Sequence, residues 1–149
     1  VVLAVVVGIL TAGCGGGQSL PVRIATPADG ADRIGELTTF RSETTTISVR
    51  PGQRFRIAFR QNPSIGDNWQ IRQPPASTVI AATGTDYVPD HKNGGPGTGG
   101  TLYLLFDAVS PGRTTMIVRN CWRAGSGCAV RPEDAFWATT LRFTVAVEP

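Results

Sequence analysis

Residues 54–69 read Arg-Phe-Arg-Ile-Ala-Phe-Arg-Gln-Asn-Pro-Ser-Ile-Gly-Asp-Asn-Trp. Through Arg60 the pattern alternates: Phe55, Ile57 and Phe59 fall on one side of an extended chain, Arg54, Arg56 and Arg60 on the other. A period of two marks a strand with one dry face and one wet face, not a helix. At Asn62 the alternation stops. Pro63 fixes φ and removes a backbone donor, while Gly66 tolerates φ > 0, so 62–68 predict a bent, rigid loop. Trp69 then supplies a large apolar ring to anchor the loop's far end in the core. The stretch is a strand, a stiff loop and the start of a second strand.

Working outward, the same period recurs. Residues 44–49 place Ile47 and Val49 on one face, and Pro51-Gly52 turns the chain into the 54–60 strand. Trp69 and Ile71 begin the next strand, which breaks at Pro74-Pro75; 79–82 and 87–88 are shorter strand candidates. In 101–108 Leu102, Leu104 and Phe106 oppose Tyr103 and Leu105, and Ser110-Pro111-Gly112 turns into a strand over 114–122. The last strand, 136–147, puts Trp137, Leu141, Phe143, Val145 and Val147 on one face. About seven strands, close turn signals and no helix-period stretch after the first residues predict an all-β, immunoglobulin-like antiparallel β-sandwich. Loops in such sandwiches collect at the two ends, so the three longest (62–68, 90–100 and 123–135) are expected to share one end.

The chain has 149 residues, 41% hydrophobic and 17% charged, which suits one globular domain with its own core. Its net charge of +3 is almost entirely arginine, Lys92 being the one lysine. No run of clustered basic residues points to nucleic acid. The N-terminus is different in kind. Residues 1–10 are apolar, too short for a span of ~20 residues but suited to the core of a secretory signal. Thr11-Ala12-Gly13-Cys14 follows, and small residues directly before a cysteine resemble a bacterial lipobox, whose cysteine is lipid-modified. Thr11 stands where that motif usually has leucine, with Leu10 one place early, and neither Met nor a basic segment precedes Val1. The expectation is a signal segment over 1–13, truncated at its start. Lipidated Cys14 and a flexible Gly15-Gly16-Gly17 tether follow over 14–40, with a short edge strand near 22–25, and then a domain over 41–149. That places the protein on the outer face of a bacterial cytoplasmic membrane.

Outside the cytoplasm, Cys121 and Cys128 are most simply a disulfide closing a small loop. Such a bridge stabilises by about 2–3 kcal/mol and stiffens what the loop presents. Zinc is disfavoured: there is no Cys-x-x-Cys knuckle, and the one histidine, His91, stands beside a glycine-rich loop. No metal or cofactor is expected. Gly94 to Gly100 is no phosphate cradle, because neither Lys-Ser/Thr nor a helix pattern follows. An enzyme has little support, with no Gly-x-Ser-x-Gly elbow and no patterned carboxylate pair; His91 beside Asp90 is read as a solvated side chain.

Taken in order, the three loops make 44–147 resemble the chagasin family, inhibitors of papain-like cysteine proteases. The family's first loop, Asn-Pro-Thr-Thr-Gly-aromatic-x-Trp, is matched by Asn62, Pro63, Gly66 and Trp69; its second, Gly-x-Gly-Gly, by Gly97, Thr98, Gly99 and Gly100. The third carries Arg-Pro-aromatic straight after a strand. Here that place reads Asn120-Cys121-Trp122-Arg123, and Arg131-Pro132 arrives later, followed by Glu133. The resemblance implies a monomeric wedge without catalytic residues that enters a protease's active-site cleft. Its first loop would cover the catalytic cysteine and the other two would grip the flanks. It assigns 62–67 and Trp69 to the first loop, with Ser64 and Ile65 at the two threonine positions. Trp122, Arg123, Arg131 and Pro132 fall to the third. Ile65 removes a hydroxyl, Asp67 puts a charge in place of an aromatic at the loop's edge, and the third loop is rebuilt around the cysteines. The bridge is expected to hold Trp122 or Arg131-Pro132 at its tip. The alternative is an envelope-anchored interaction module of the same fold that inhibits nothing.

Overall fold

A computed structural model describes residues 31–34, 37–91, 95, 97–125 and 127–149, the first four as backbone only. The signal segment, Cys14 and the 22–25 strand lie outside the described residues. The strands are β1 (Ala31–Ile34), β2 (Leu37–Arg41), β3 (Thr46–Val49), β4 (Arg54–Gln61), β5 (Trp69–Gln73), β6 (Ile80–Pro89), β7 (Gly100–Ala108), β8 (Gly112–Asn120) and β9 (Thr140–Val147). They form two sheets, a five-stranded one in the order β1-β2-β4-β7-β6 and a four-stranded one in the order β3-β9-β8-β5. This is the expected all-β sandwich.

Burial follows the alternation that predicts it. Phe55, Ile57 and Phe59 of β4 point inward with Leu102, Leu104 and Phe106 of β7, against Met116 and Val118 of β8 and Phe143 and Val145 of β9. Aromatic contacts run along the five-stranded sheet and, at Phe59, across to the other layer. Phe55 stacks on Phe106 with centroids 5.3 Å apart and meets Phe40 edge-on at 5.9 Å; Phe59 lies 4.9 Å from Trp69 and 5.9 Å from Phe143. Such rings contribute both buried area and a fixed mutual geometry.

Several expectations need correcting. The sheets take in β1 and β2, within the stretch read as a tether, because Phe40 is buried against Phe55 and Thr38 and Thr39 are buried beside it. The candidates at 79–82 and 87–88 are one strand, β6, whose register shifts between Ala82 and Gly84; that irregularity breaks the alternation and hides the continuity. Two pairings, β2 with β4 and β3 with β9, are parallel rather than antiparallel. The chain crosses to the other sheet at 42–45 and back at 50–53, reversing each time, so β4 runs beside β2 in the same direction. Finally, β9 starts at Thr140, and Pro132–Trp137 forms a 3-10 helix, so Phe136 and Trp137 are not on the strand's inner face. Pro132 suits the first turn of a helix, where its missing N–H costs nothing, and Arg131 clamps Asp134 across that turn at 2.7 Å.

Candidate functional site

Antiparallel neighbours bring three connections to one end: loop 1 (62–68, from β4 to β5), loop 2 (90–99, from β6 to β7) and loop 3 (121–139, from β8 to β9). The shared end predicted from topology is what the hydrogen bonds describe. Asn62 Nδ2 donates to Gly97 O across loops 1 and 2 at 3.0 Å. Between loops 1 and 3, Cys121 N donates to Asn68 O at 2.7 Å and Arg123 N to Gly66 O at 2.9 Å. Arg123 Nε reaches Ile65 O at 3.3 Å.

Loop 1 is a pair of tight turns. Asn62 O accepts from both Ile65 N and Asp67 N, each at 3.2 Å, and Asn62 Oδ1 accepts from Ser64 N at 3.2 Å. Gly66 has φ +118°, and a Cβ there would sit 2.4 Å from Arg123 Cγ, so both its conformation and its clearance demand glycine. Asp67 is no edge charge. It is half-buried, accepting from Asn62 N at 2.9 Å and from Asn120 Nδ2 at 2.7 Å, and so ties the loop's two ends to β8. Asn120 Oδ1 in turn accepts from Asn68 N at 2.9 Å. At the far end Trp69 packs on the core as predicted, its Nε1 donating to Arg60 O at 3.0 Å. Pro63, Ser64 and Ile65 remain outward, with Ile65 47% exposed. A braced base therefore carries a small, apolar tip.

Loop 2 is described except for 92–94 and 96. Gly97 is exposed, Thr98 half-buried, and Gly99 and Gly100 buried. A Cβ on Gly99 would meet Arg60 Nη2 at 2.9 Å, and one on Gly100 would meet Val88 O at 2.5 Å, so close packing explains this glycine pair. Arg60 forks onto Asp90, Nη1 to Oδ1 at 2.6 Å, which pins the loop's first residue to β4. The Arg60 guanidinium holds the Asp90 carboxyl below its ordinary range, and Asp90 raises Arg60 in return.

Loop 3 contains the predicted Cys121–Cys128 disulfide, with both cysteines buried. The expectation for Trp122 is reversed. It is 8% exposed, two places past the end of β8, and lies beneath Trp137 in a stack with centroids 5.5 Å apart. Arg123 is exposed beside loop 1, its guanidinium 5.5 Å from the Trp122 ring centre. Arg131 and Pro132 stay within loop 3, Arg131 engaged by Glu133 and Asp134. What the sequence hid is an aromatic platform: Phe136, 86% exposed, meets Trp137, 54% exposed, edge-on at 5.3 Å. The signal lay in Pro132-Glu133-Asp134, a helix start just ahead of Phe136 and Trp137.

Residues 48–136 match the profile of one family, described as Chagasin family peptidase inhibitor I42. The chain belongs to this family. The region that identifies it as a chagasin-family protein spans all of loops 1 and 2 and the bridged part of loop 3. Among solved structures, the chain is similar to the cysteine protease inhibitor EhICP2 from Entamoeba histolytica. The TM-score is 0.56 at 16% identity, over 75% of this chain and 96% of that one. It is also similar to amebosin, with TM-score 0.56 at 19% identity over 76% of this chain and 98% of the other. At such identities the likeness concerns the chagasin-like fold. No curated protein matches the chain.

Proposed function

We propose that this protein is a reversible, non-covalent inhibitor of papain-like cysteine proteases. Loop 1 enters the active-site cleft, and loops 2 and 3 lie along its flanks. The observation that carries the reading is the mutual bracing of the three loops, with the Pro63-Ser64-Ile65 tip left free at their centre. A loop already tied at Asn62, Gly66 and Asp67 loses little conformational freedom on docking, so contact energy is retained as affinity. Ile65 brings an apolar group toward the catalytic thiol and excludes water there, while its own carbonyl is engaged by Arg123 Nε. On one flank the exposed backbone at Gly97 permits close approach. On the other, Phe136 and Trp137 take the part of aromatic anchors, with Trp122 as the floor beneath them. Arg123, between loops 1 and 3, supplies a rim cation.

Titration of papain and of a cathepsin L-type protease with the oxidised protein tests this. Dose-dependent, reversible inhibition is expected, and Gly66→Pro and Gly99→Trp should each abolish it. A folded protein that fails to inhibit at tens of micromolar, far above the affinities of protease–inhibitor pairs, would leave a non-inhibitory interaction module of the same fold. We also propose that Cys14 carries lipid and anchors the domain to the outer face of the cytoplasmic membrane. The motif at 11–14 supports this, and the mass of the membrane-extracted protein decides it.

A further inference from the structure

The net positive charge is unevenly placed. On the five-stranded sheet the arginines of β4 have partners: Arg54 with Asp107, Arg60 with Asp90, and Arg56 with Thr39 and the Tyr103 ring. The outer face of the four-stranded sheet is different. Its outward positions carry Arg72, Arg113, Arg119 and Arg142, and none of its strands contains Asp or Glu. None of these arginines makes an ion pair among the described residues; Arg72 donates only to Gln70 Oε1, at 3.3 Å. Arg119 stands opposite Thr140 while Arg142 stands opposite Ile117, so the two are diagonal neighbours on one face with no acid between them. Arg119 Nε is buried without an acceptor, and no acid among the described residues pairs with this side chain.

We propose that this face docks on an anionic phospholipid bilayer. The face is a sheet rather than a groove. Between the arginines it offers Gln70, Thr115, Ile117 and Thr144, with no aromatic ring. A single-stranded nucleic acid would need rings for its bases to stack on, and a duplex would need an element to enter its groove. A plane of lipid phosphates needs only cations spread over a comparable plane, and guanidinium forks match phosphate oxygens. Docked in this way, the domain keeps its loop end clear at the sandwich's edge.

The test is co-sedimentation of the whole chain with vesicles of phosphatidylcholine alone or mixed with phosphatidylglycerol. The comparison protein carries Arg72→Gln, Arg113→Gln, Arg119→Gln and Arg142→Gln. The apolar 1–10 segment contributes equally to both proteins and to both lipids, so the preference for anionic over neutral vesicles isolates the face. That preference should fall by about fivefold for each arginine removed, and vanish at high salt. Arg113→Gln/Arg142→Gln, at exposed positions, gives a second reading should the fourfold variant unfold. An anionic preference equal in parent and variants overturns the proposal. So does arginine-dependent binding to a single-stranded oligonucleotide that is tighter than binding to the vesicles.

Discussion

Asp67 shows how one side chain decides whether a loop is a hinge or a wedge. Its carboxylate accepts from Asn62 N at the start of loop 1 and from Asn120 Nδ2 at the end of β8, two donors far apart in the chain, in a half-buried place. Asp67→Ala strands both, and should lower unfolding free energy in urea by about 1–3 kcal/mol, with weaker protease inhibition. The spacing Asn-Pro-x-x-Gly-Asp-x-Trp announced the loop's shape, but not this bond, because the partner Asn120 lies far along the chain and only the β5–β8 pairing brings it near. Asp90 allows a pH test. Arg60 holds its carboxyl below the ordinary value of 3.8, so the pair's stabilisation is fully present above that pH and disappears as pH falls through the lowered folded value. In acid melts, parent and Asp90→Asn should differ near neutrality and converge at low pH. A gap that persists in strong acid would mean the pair contributes through packing.

At the scale of elements, loop 3 separates what binds from what supports. Phe136 is largely exposed and has little burial to lose, so Phe136→Ala should leave thermal stability within about 0.5 kcal/mol. The same change should raise the inhibition constant about tenfold or more, as loss of an aromatic anchor does. The disulfide is the converse case. Cys121→Ser/Cys128→Ser should cost about 2 kcal/mol in denaturation, with potency falling because the Trp122–Trp137 stack loses its fixed base. Unchanged stability and potency would show that the stack holds itself. The bridge was legible from two cysteines seven residues apart, once the apolar start of the chain is read as a secretory signal. The platform was not, since Trp137 continues the strand parity of Leu141, Phe143 and Val145, and period alone cannot reveal that the chain has left the sheet.

For the whole molecule, the class of fold could be read from alternation in β4, β7, β8 and β9, where one face is buried and the other wet. Its edges could not. β2 buries Thr38, Thr39 and Phe40 in succession, which has no period, and β6 is broken by its register shift. A chain beginning at residue 42 would lose Phe40 from its contact with Phe55 and uncover the edge of β4. It should therefore be less stable by about 3 kcal/mol or more in equilibrium unfolding. The parallel pairing of β3 with β9 has a mechanical consequence. These strands lie near opposite ends of the domain's chain yet run side by side in the same direction, Thr46 beside Thr144 through Val49 beside Val147. Tension applied between the start of β3 and the end of β9 slides them lengthwise, loading every rung of that ladder together instead of peeling one at a time. Stretched along that line, the domain would resist like a lap joint rather than open like a zip.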